Sequence, residues 1–183
     1  MTLEEIITTR RSVRSFTDEP VPKKVILKLL DMARWAPYAS ECWRFVVVEE
    51  MEGKERLAQA SRQSWIATAP VIIVVGADVE IFAEQGSKWW RWDAYKFREL
   101  FYIQDTAAAI QNLMLTAVDM GLGTCWIGSF NEGEVAKAVN FPASIRPVAI
   151  IPVGHPAQPQ KKSTRGPLEE IVFWEKYESP QMA

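Results

Sequence analysis

The chain has 183 residues, 48% of them hydrophobic and 24% charged, and its formal net charge is −2. This material suits one globular domain with a sizeable core. The longest apolar run, at 69–77, is far shorter than the roughly 20 residues that cross a bilayer, and the small negative charge gives no general attraction to nucleic acid. Because the N-terminus also lacks a basic segment followed by an apolar one, we expect a cytoplasmic protein that binds neither membrane nor nucleic acid.

Periodicity in the first half of the chain predicts helices and short strands. Apolar residues recur at helical spacing in three segments, and β-branched runs mark two buried strands. In chain order these are helices at 3–9 and 22–36, a strand at 45–48, a helix at 52–60 and a strand at 71–75.

The second half predicts a buried central helix over 105–120 that ends at Gly121. Asn131, followed by Glu134, is typical of a helix N-cap, and a last strand is expected over 148–153. Since no composition break marks a boundary, we expect a single domain over 1–183. Helices and strands alternate unevenly, which favours an α+β fold with a mainly antiparallel sheet.

The sequence offers few groups for acid-base, nucleophilic or metal chemistry. His155 is the only histidine, and Cys42 and Cys125 are widely separated, so neither a Ser-His-Asp site nor a metal site is indicated. We expect no catalytic side chain and no metal, and an enzyme of this composition would need a cofactor to carry its reaction.

Two groups of residues suit a phosphate and a flat ring. Three guanidiniums and a hydroxyl lie within 10–14, with Arg165 near the other end of the chain. Taken alone, both basic groups could also be solvated surface. The glycines at 121, 123 and 128 do not match a dinucleotide-binding fingerprint, but Gly128 beside Trp126 would let a flat ring approach the backbone.

In combination these segments resemble the FMN-dependent nitroreductase family. Members have an early Arg-Arg-Ser-x-Arg segment, an Ala-Pro turn, a Gly-Leu-Gly-Thr-Cys-Trp-Ile-Gly segment and a late Arg, in this order. The corresponding positions are 10–14, 36–37, 121–128 and Arg165. The likeness covers nearly the whole chain and is strongest over 111–154.

The resemblance implies a three-layer sandwich with a mainly antiparallel central sheet, assembled as an intertwined homodimer. An apolar C-terminal arm, at about 166–183, would reach over the partner. The implied cofactor is FMN, with NADH or NADPH as reductant. The residues implied to bind FMN are Arg10, Arg11, Ser12, Arg14 and Arg165 at the phosphate and ribityl chain, Pro37, Tyr38, Ala39 and Ser40 from the other subunit, Gln63 at the pyrimidine edge, and Trp126, Ile127, Gly128 and Ser129 along the ring.

One segment departs from the family pattern. The family commonly has Ala-Pro-Ser-x-x-Asn-x-Gln-Pro-Trp where this chain has APYASECWRF, which is about two residues shorter and lacks that Asn and Gln. Flavin contacts or substrate choice are therefore expected to differ from those of typical members.

An aromatic segment at 87–102 has two interpretations. It could form a lid on which flat substrates stack, with Trp90 as the substrate-contacting residue, or its rings could bury in the core or at a dimer interface.

The implied activity is ping-pong hydride transfer from a nicotinamide through the flavin to a small acceptor such as a nitroarene or quinone. Two alternatives remain at this point: a reductive dehalogenase or flavin-fragmenting enzyme of the same fold, and a flavin-binding interaction protein without turnover.

Overall fold

The computed structural model describes residues 1–86, 98–160 and 163–177. Its α-helices are α1 (Leu3–Thr9), α2 (Lys23–Ala33), α3 (Met51–Ser61), α4 (Val79–Gly86), α5 (Arg98–Asp119) and α6 (Glu132–Ala138). Its strands are β1 (Trp43–Val48), β2 (Val71–Asp78), β3 (Gly123–Thr124) and β4 (Ile145–Gly154). Two short 3-10 helices cover Ser64–Thr68 and Leu168–Glu170.

Local signals in the sequence set several helix ends. Asn131 is the N-cap of α6, and its side-chain oxygen accepts a hydrogen bond from the Glu134 amide at 3.0 Å, as predicted. Gly121 follows the last turn of α5 with φ +74, a conformation that glycine adopts without strain. Thr2 and Glu5 form a capping box at the start of α1.

The four strands form one antiparallel sheet in the order β1-β2-β4-β3. Five residues of β2 alternate between the two faces of this sheet. Ile73 and Val75 lie in a core with α2 and α5, whereas Ile72 and Val74 lie in a second core with α3. Helices therefore cover both faces, and the predicted α+β fold with a three-layer sandwich and an antiparallel sheet is confirmed.

The observed bounds differ from the predicted ones in several elements. α2 ends at Ala33 rather than at 36, β1 begins at Trp43 rather than at 45, and β2 continues to Asp78 rather than ending at 75. β4 begins at Ile145 rather than at 148 and so contains Pro147, which cannot donate to a neighbouring strand. The register between β2 and β4 shifts between Val75 and Gly76, opposite Pro147, and such an irregularity is where a strand accommodates proline. α5 also starts seven residues earlier than predicted, at Arg98.

Within the described ranges, no helix is both long enough and apolar enough to cross a membrane. The same residues contain no group of three or more His, Cys, Asp or Glu side chains placed to hold a metal ion.

Candidate functional site

The basic segment at 10–14 lies along the edge of the sheet beside β3. The Val13 amide donates to the Thr124 carbonyl at 2.9 Å, and Ser12 pairs with Thr124 in a parallel bridge. Gly123 has no room for a side chain, because a Cβ there would lie 2.6 Å from the Val13 side chain. The two segments that the sequence analysis associated with phosphate and ring are thus neighbours.

A cleft of about 570 Å³ opens along this segment. Its lining residues are Arg11, Ser12, Arg14, Ser15, Gln158, Pro159 and Gln160. The Ala157 amide, which precedes the three C-terminal lining residues, donates to the Ser15 carbonyl at 3.0 Å. Hydrogen-bond donors from two distant parts of the chain therefore meet in one cleft, which we call the basic cleft.

The arginines of this segment have different surroundings. The Arg11 guanidinium donates to the carbonyls of Thr8 and Arg10, at 2.8 and 2.6 Å, at the C-terminal end of α1, where a cation also opposes the helix dipole. Burial raises the pKa of the Cys125 thiol, while the charges of Arg14 and Arg10 lower it. The charges of Arg10 and Arg14 therefore act on the Cys125 thiol.

Thr124 contributes a polar group that the sequence analysis did not single out. Its side-chain oxygen is buried and has no hydrogen-bond partner among the described residues. Leaving a buried hydroxyl unpaired costs free energy. Thr124 is only 1% exposed and does not line the basic cleft, so this hydroxyl lies beneath the Ser12 pairing rather than on the surface of the cleft.

The segment from Trp126 to Ser129 continues from β3 along the sheet edge. Ile127 faces the core and exchanges hydrogen bonds with Ile150 of β4, at 3.1 and 3.0 Å. Trp126, Gly128 and Ser129 are exposed. The Gly128 amide makes no hydrogen bond to a described residue, and its φ lies outside the left-handed region. A turn with positive φ therefore does not require glycine at position 128.

The loop with the shortened family motif lies at the other end of the sheet. Ala39 and Ser40 donate their amides to the Asp105 carboxylate of α5 at 2.9–3.0 Å. Ser40 and Asp105 are buried, whereas Tyr38 is exposed and meets the Trp43 ring edge-on at 5.5 Å between centroids. The loop therefore has one face fixed to α5 and one face open.

The basic cleft and this loop do not meet within one copy of the chain. The Cys42 amide donates to Ser40, and the Asp78 amide to Cys42, both at 2.7 Å, so the loop lies at the Asp78 end of β2. The basic cleft lies at the Val71 end, because Val71 and Thr124 both pair with Val153. β2 has 8 residues, so its ends are about 24 Å apart at roughly 3.4 Å per residue.

Two further predicted residues, Gln63 and Arg165, are not brought to the basic cleft. Gln63 follows the end of α3 and accepts a hydrogen bond from the Trp65 indole at 3.2 Å. It lies near Asn131, whose amide donates to Ala60 at 2.9 Å. Arg165 donates to Ser163 and to the Thr164 carbonyl in its own segment and does not line the basic cleft. Trp90 lies outside the described residues.

Comparison with known proteins agrees with this arrangement. The family model described as "Nitroreductase family" matches residues 7–67 and 57–155. A protein of Methanothermobacter thermautotrophicus named "Putative NADH dehydrogenase/NAD(P)H nitroreductase" is 32% identical over 166 residues, which cover 86% of this chain and 79% of the relative. "FMN reductase [NAD(P)H]" of Bacillus subtilis is 28% identical over 188 residues, covering 93% of this chain and 72% of that protein.

A solved structure is similar as well. The crystal structure of a nitroreductase family protein from Clostridium novyi superposes with a TM-score of 0.72 at 31% identity, covering 85% of this chain and 86% of the other. The fold is of the α+β class that this solved structure shares. The chain belongs to the nitroreductase family, which confirms the resemblance stated from the sequence.

Proposed function

We propose that the protein is an NAD(P)H-dependent oxidoreductase that binds FMN and passes electrons to a small acceptor such as a quinone or nitroarene. The family assignment supports the reaction class, as do relatives named NAD(P)H nitroreductase and FMN reductase. The observation that carries the proposal is the pairing of the 10–14 segment, which lines the basic cleft, with Thr124 of β3. The exposed strip of backbone at 126–129 begins two residues after Thr124.

The residues of the basic cleft fit the phosphate end of FMN. Ser12 and Arg14 supply a hydroxyl and a guanidinium that can donate to phosphate oxygens. In this proposal the predicted phosphate ligands Arg10, Arg11, Ser12 and Arg14 keep their roles, although Arg11 also caps α1.

The strip at 126–129 fits the ring. Trp126 and Gly128 are exposed next to each other, with Ile127 anchored between them on β4. When bound, FMN supplies the hydride-accepting and hydride-donating ring that this chain's side chains do not provide. Under this proposal the Gly128 amide donates to flavin N5, and Trp126 and Ser129 lie along the ring. The protein then contributes position and electrostatics.

The active form proposed is a homodimer. Residues 37–40 and the basic cleft lie at opposite ends of β2 in one copy, so a second copy is needed to place Pro37, Tyr38, Ala39 and Ser40 beside the same ring. Apolar surface supports this assembly. Leu168, Ile171 and Trp174 of the C-terminal arm are 65%, 73% and 85% exposed, and a groove of about 470 Å³ between α1, α2 and α5 has a mostly apolar lining.

Two measurements test the proposed function. The purified protein is expected to show a flavin absorption spectrum, and acid-released cofactor should comigrate with FMN. NADH or NADPH should then be consumed steadily when a quinone or nitroarene is added. A protein that neither retains nor rebinds FMN contradicts the proposal, whereas flavin binding without nicotinamide consumption would favour an interaction protein or another reaction of the same fold.

A further inference from the structure

The loop between α2 and β1 depends on a side chain from a distant helix for its backbone hydrogen bonds. Trp35 and Ala36 donate to the last carbonyls of α2, and Pro37 has no amide hydrogen. The next donors that face inward, Ala39 and Ser40, have no main-chain partner. Both donate instead to the Asp105 carboxylate, which lies 65–66 positions further along the chain.

Asp105 is only 6% exposed, and burying a carboxylate is unfavourable unless it is hydrogen-bonded. Burial raises its pKa, while the hydrogen bonds from the Ser40 and Ala39 amides lower it. The nearest titratable neighbour is Cys42, whose pKa is raised to about 11 by burial and secondarily by the Asp105 charge. No arginine or lysine of the described residues forms an ion pair with Asp105. The two loop amides are therefore the main polar partners of this buried carboxylate.

These contacts fix the loop from one side only. The Ser40 side chain is fully buried, whereas Tyr38, two positions earlier, is 52% exposed. The exposed face is held in place by the hydrogen bonds on the buried face, together with the edge-on contact of Tyr38 and Trp43. This loop is also shorter than the family pattern and lacks its Asn and Gln. Its buried face is ordered by the hydrogen bonds to Asp105 of α5.

We propose that Asp105 is a positioning residue for the flavin site: it holds the backbone of Tyr38, Ala39 and Ser40 in the shape in which the loop packs on the flavin ring held by a second copy. The inference rests on the proposed function. It assigns no chemical step to Asp105, because the carboxylate is buried behind the loop and acts through the two amides.

The test compares Asp105→Asn, Asp105→Glu and the control Glu52→Gln. Glu52 is an exposed residue of α3 whose carboxylate lies 3.5 Å from the Arg56 guanidinium. The readouts are the FMN dissociation constant, the visible spectrum of bound flavin and the melting temperature of the apoprotein. Asp105→Asn offers one acceptor oxygen to two amides, so we expect FMN to bind about tenfold more weakly, which corresponds to about 1.4 kcal/mol, with a shifted spectrum.

Asp105→Glu keeps a carboxylate and should recover part of the affinity, and Glu52→Gln should bind FMN as the wild type does. The contrary outcome is an Asp105→Asn protein that melts at a lower temperature but binds FMN with unchanged affinity and spectrum. That result would show that Asp105 contributes only to the stability of the fold, and it would overturn the inference. Failure of the wild type to bind FMN would instead contradict the proposed function itself.

Hydrogen exchange on the wild type provides a test that does not depend on the folding of a variant. The Ala39 and Ser40 amides should exchange slowly in the apoprotein and more slowly after FMN is added, because the ring then packs on the loop that these bonds hold. Exchange rates at both amides that do not change on FMN binding would also overturn the inference.

Discussion

The indole nitrogen of Trp126 lies 3.8 Å from the position that a Cβ atom would take on Gly128. This is an ordinary van der Waals distance, and among the described residues it is the nearest approach to that position. The polypeptide itself therefore tolerates a side chain at 128. If position 128 requires glycine, the requirement comes from a ligand.

Gly128→Val is accordingly expected to fold with near-normal apoprotein stability but to lose FMN or reduce it slowly. The valine side chain would hold the flavin ring away from the residue 128 amide, which would then no longer stabilise the negative charge that develops at N5. The check combines apoprotein melting with the rate of flavin reduction by NADH or NADPH.

Gly121→Ala is the matched control for that variant. Gly121 has φ +74 and no neighbour within 4 Å, so alanine should cost about 1 kcal/mol of folding free energy without a specific effect on flavin. Normal flavin binding and reduction in a folded Gly128→Val protein would remove the proposed ring position.

Arg14→Ala is expected to weaken FMN retention, because a charge-assisted hydrogen bond to phosphate contributes roughly 1.5–3 kcal/mol. Equilibrium dialysis of the flavin measures the change. Arg56→Ala, which removes only an exposed ion pair with Glu52, serves as the control.

Arg165→Ala tests whether Arg165 binds the FMN phosphate as well, since its hydrogen bonds in this structure stay within its own segment. If both the Arg14→Ala and the Arg165→Ala proteins bind FMN with unchanged affinity, the assignment of these residues to the phosphate is wrong.

A mixed dimer tests whether the two parts of one flavin site come from different copies. One subunit carries Arg14→Ala and the other Asp105→Asn, with different affinity tags. If the loop acts across the interface, one site contains both lesions and the other contains neither. The mixed dimer should then bind one FMN with wild-type affinity. Two weakened sites, each with the affinity of one single variant, would mean that loop and cleft serve the same site within one copy.

Arg146→Ala is expected to destabilise the fold without acting on the flavin directly. Its guanidinium pairs with both oxygens of Glu132, at 2.9 and 3.0 Å, and also with Glu99 and the Tyr102 hydroxyl. Because the network is partly exposed, we expect the free energy of unfolding to fall by about 1–2 kcal/mol. The melting temperature should then be about 2–8 °C lower. High salt should reduce the difference from wild type, and an Arg146→Ala protein as stable as wild type at low salt would contradict the prediction.

Asp105 should also leave a signature in the pH dependence of stability. Because burial raises its pKa in the folded state, the folded protein holds this proton more tightly than the unfolded chain does. The stability of the wild type relative to Asp105→Asn is therefore greatest below the unfolded pKa of about 3.9 and falls as the pH rises through the folded pKa. Urea unfolding of both proteins from pH 4 to pH 8 measures this difference, and a difference that instead grew with pH would reverse the assigned sign.

Sequence reasoning succeeded where the determinants lie within a few positions of each other. The Asn131 cap spans four residues, and the Gly121 stop needs only the residue itself. The two-sided burial of β2 was equally readable from its unbroken apolar run.

The parts that were missed depend on contacts between distant positions. Nothing near Asp105 in the sequence indicates that its partners are Ala39 and Ser40, and the unpaired Thr124 hydroxyl becomes apparent only once its surroundings are assembled. The early start of β4 was missed because Pro147 is a strong signal against a strand unless the neighbouring strand shifts its register, which is a property of the sheet.

The distance between the two ends of β2 has a consequence for evolution in this protein. In the proposed homodimer, Arg14 and the loop at Tyr38 serve one ligand although a sheet's length separates them in each chain. Substitutions at these two places would then be selected together and would covary across homologues. If these covarying pairs were interpreted as contacts within one molecule, they would contradict the distance between the two ends of β2. That contradiction would identify the pairs as contacts across the subunit interface.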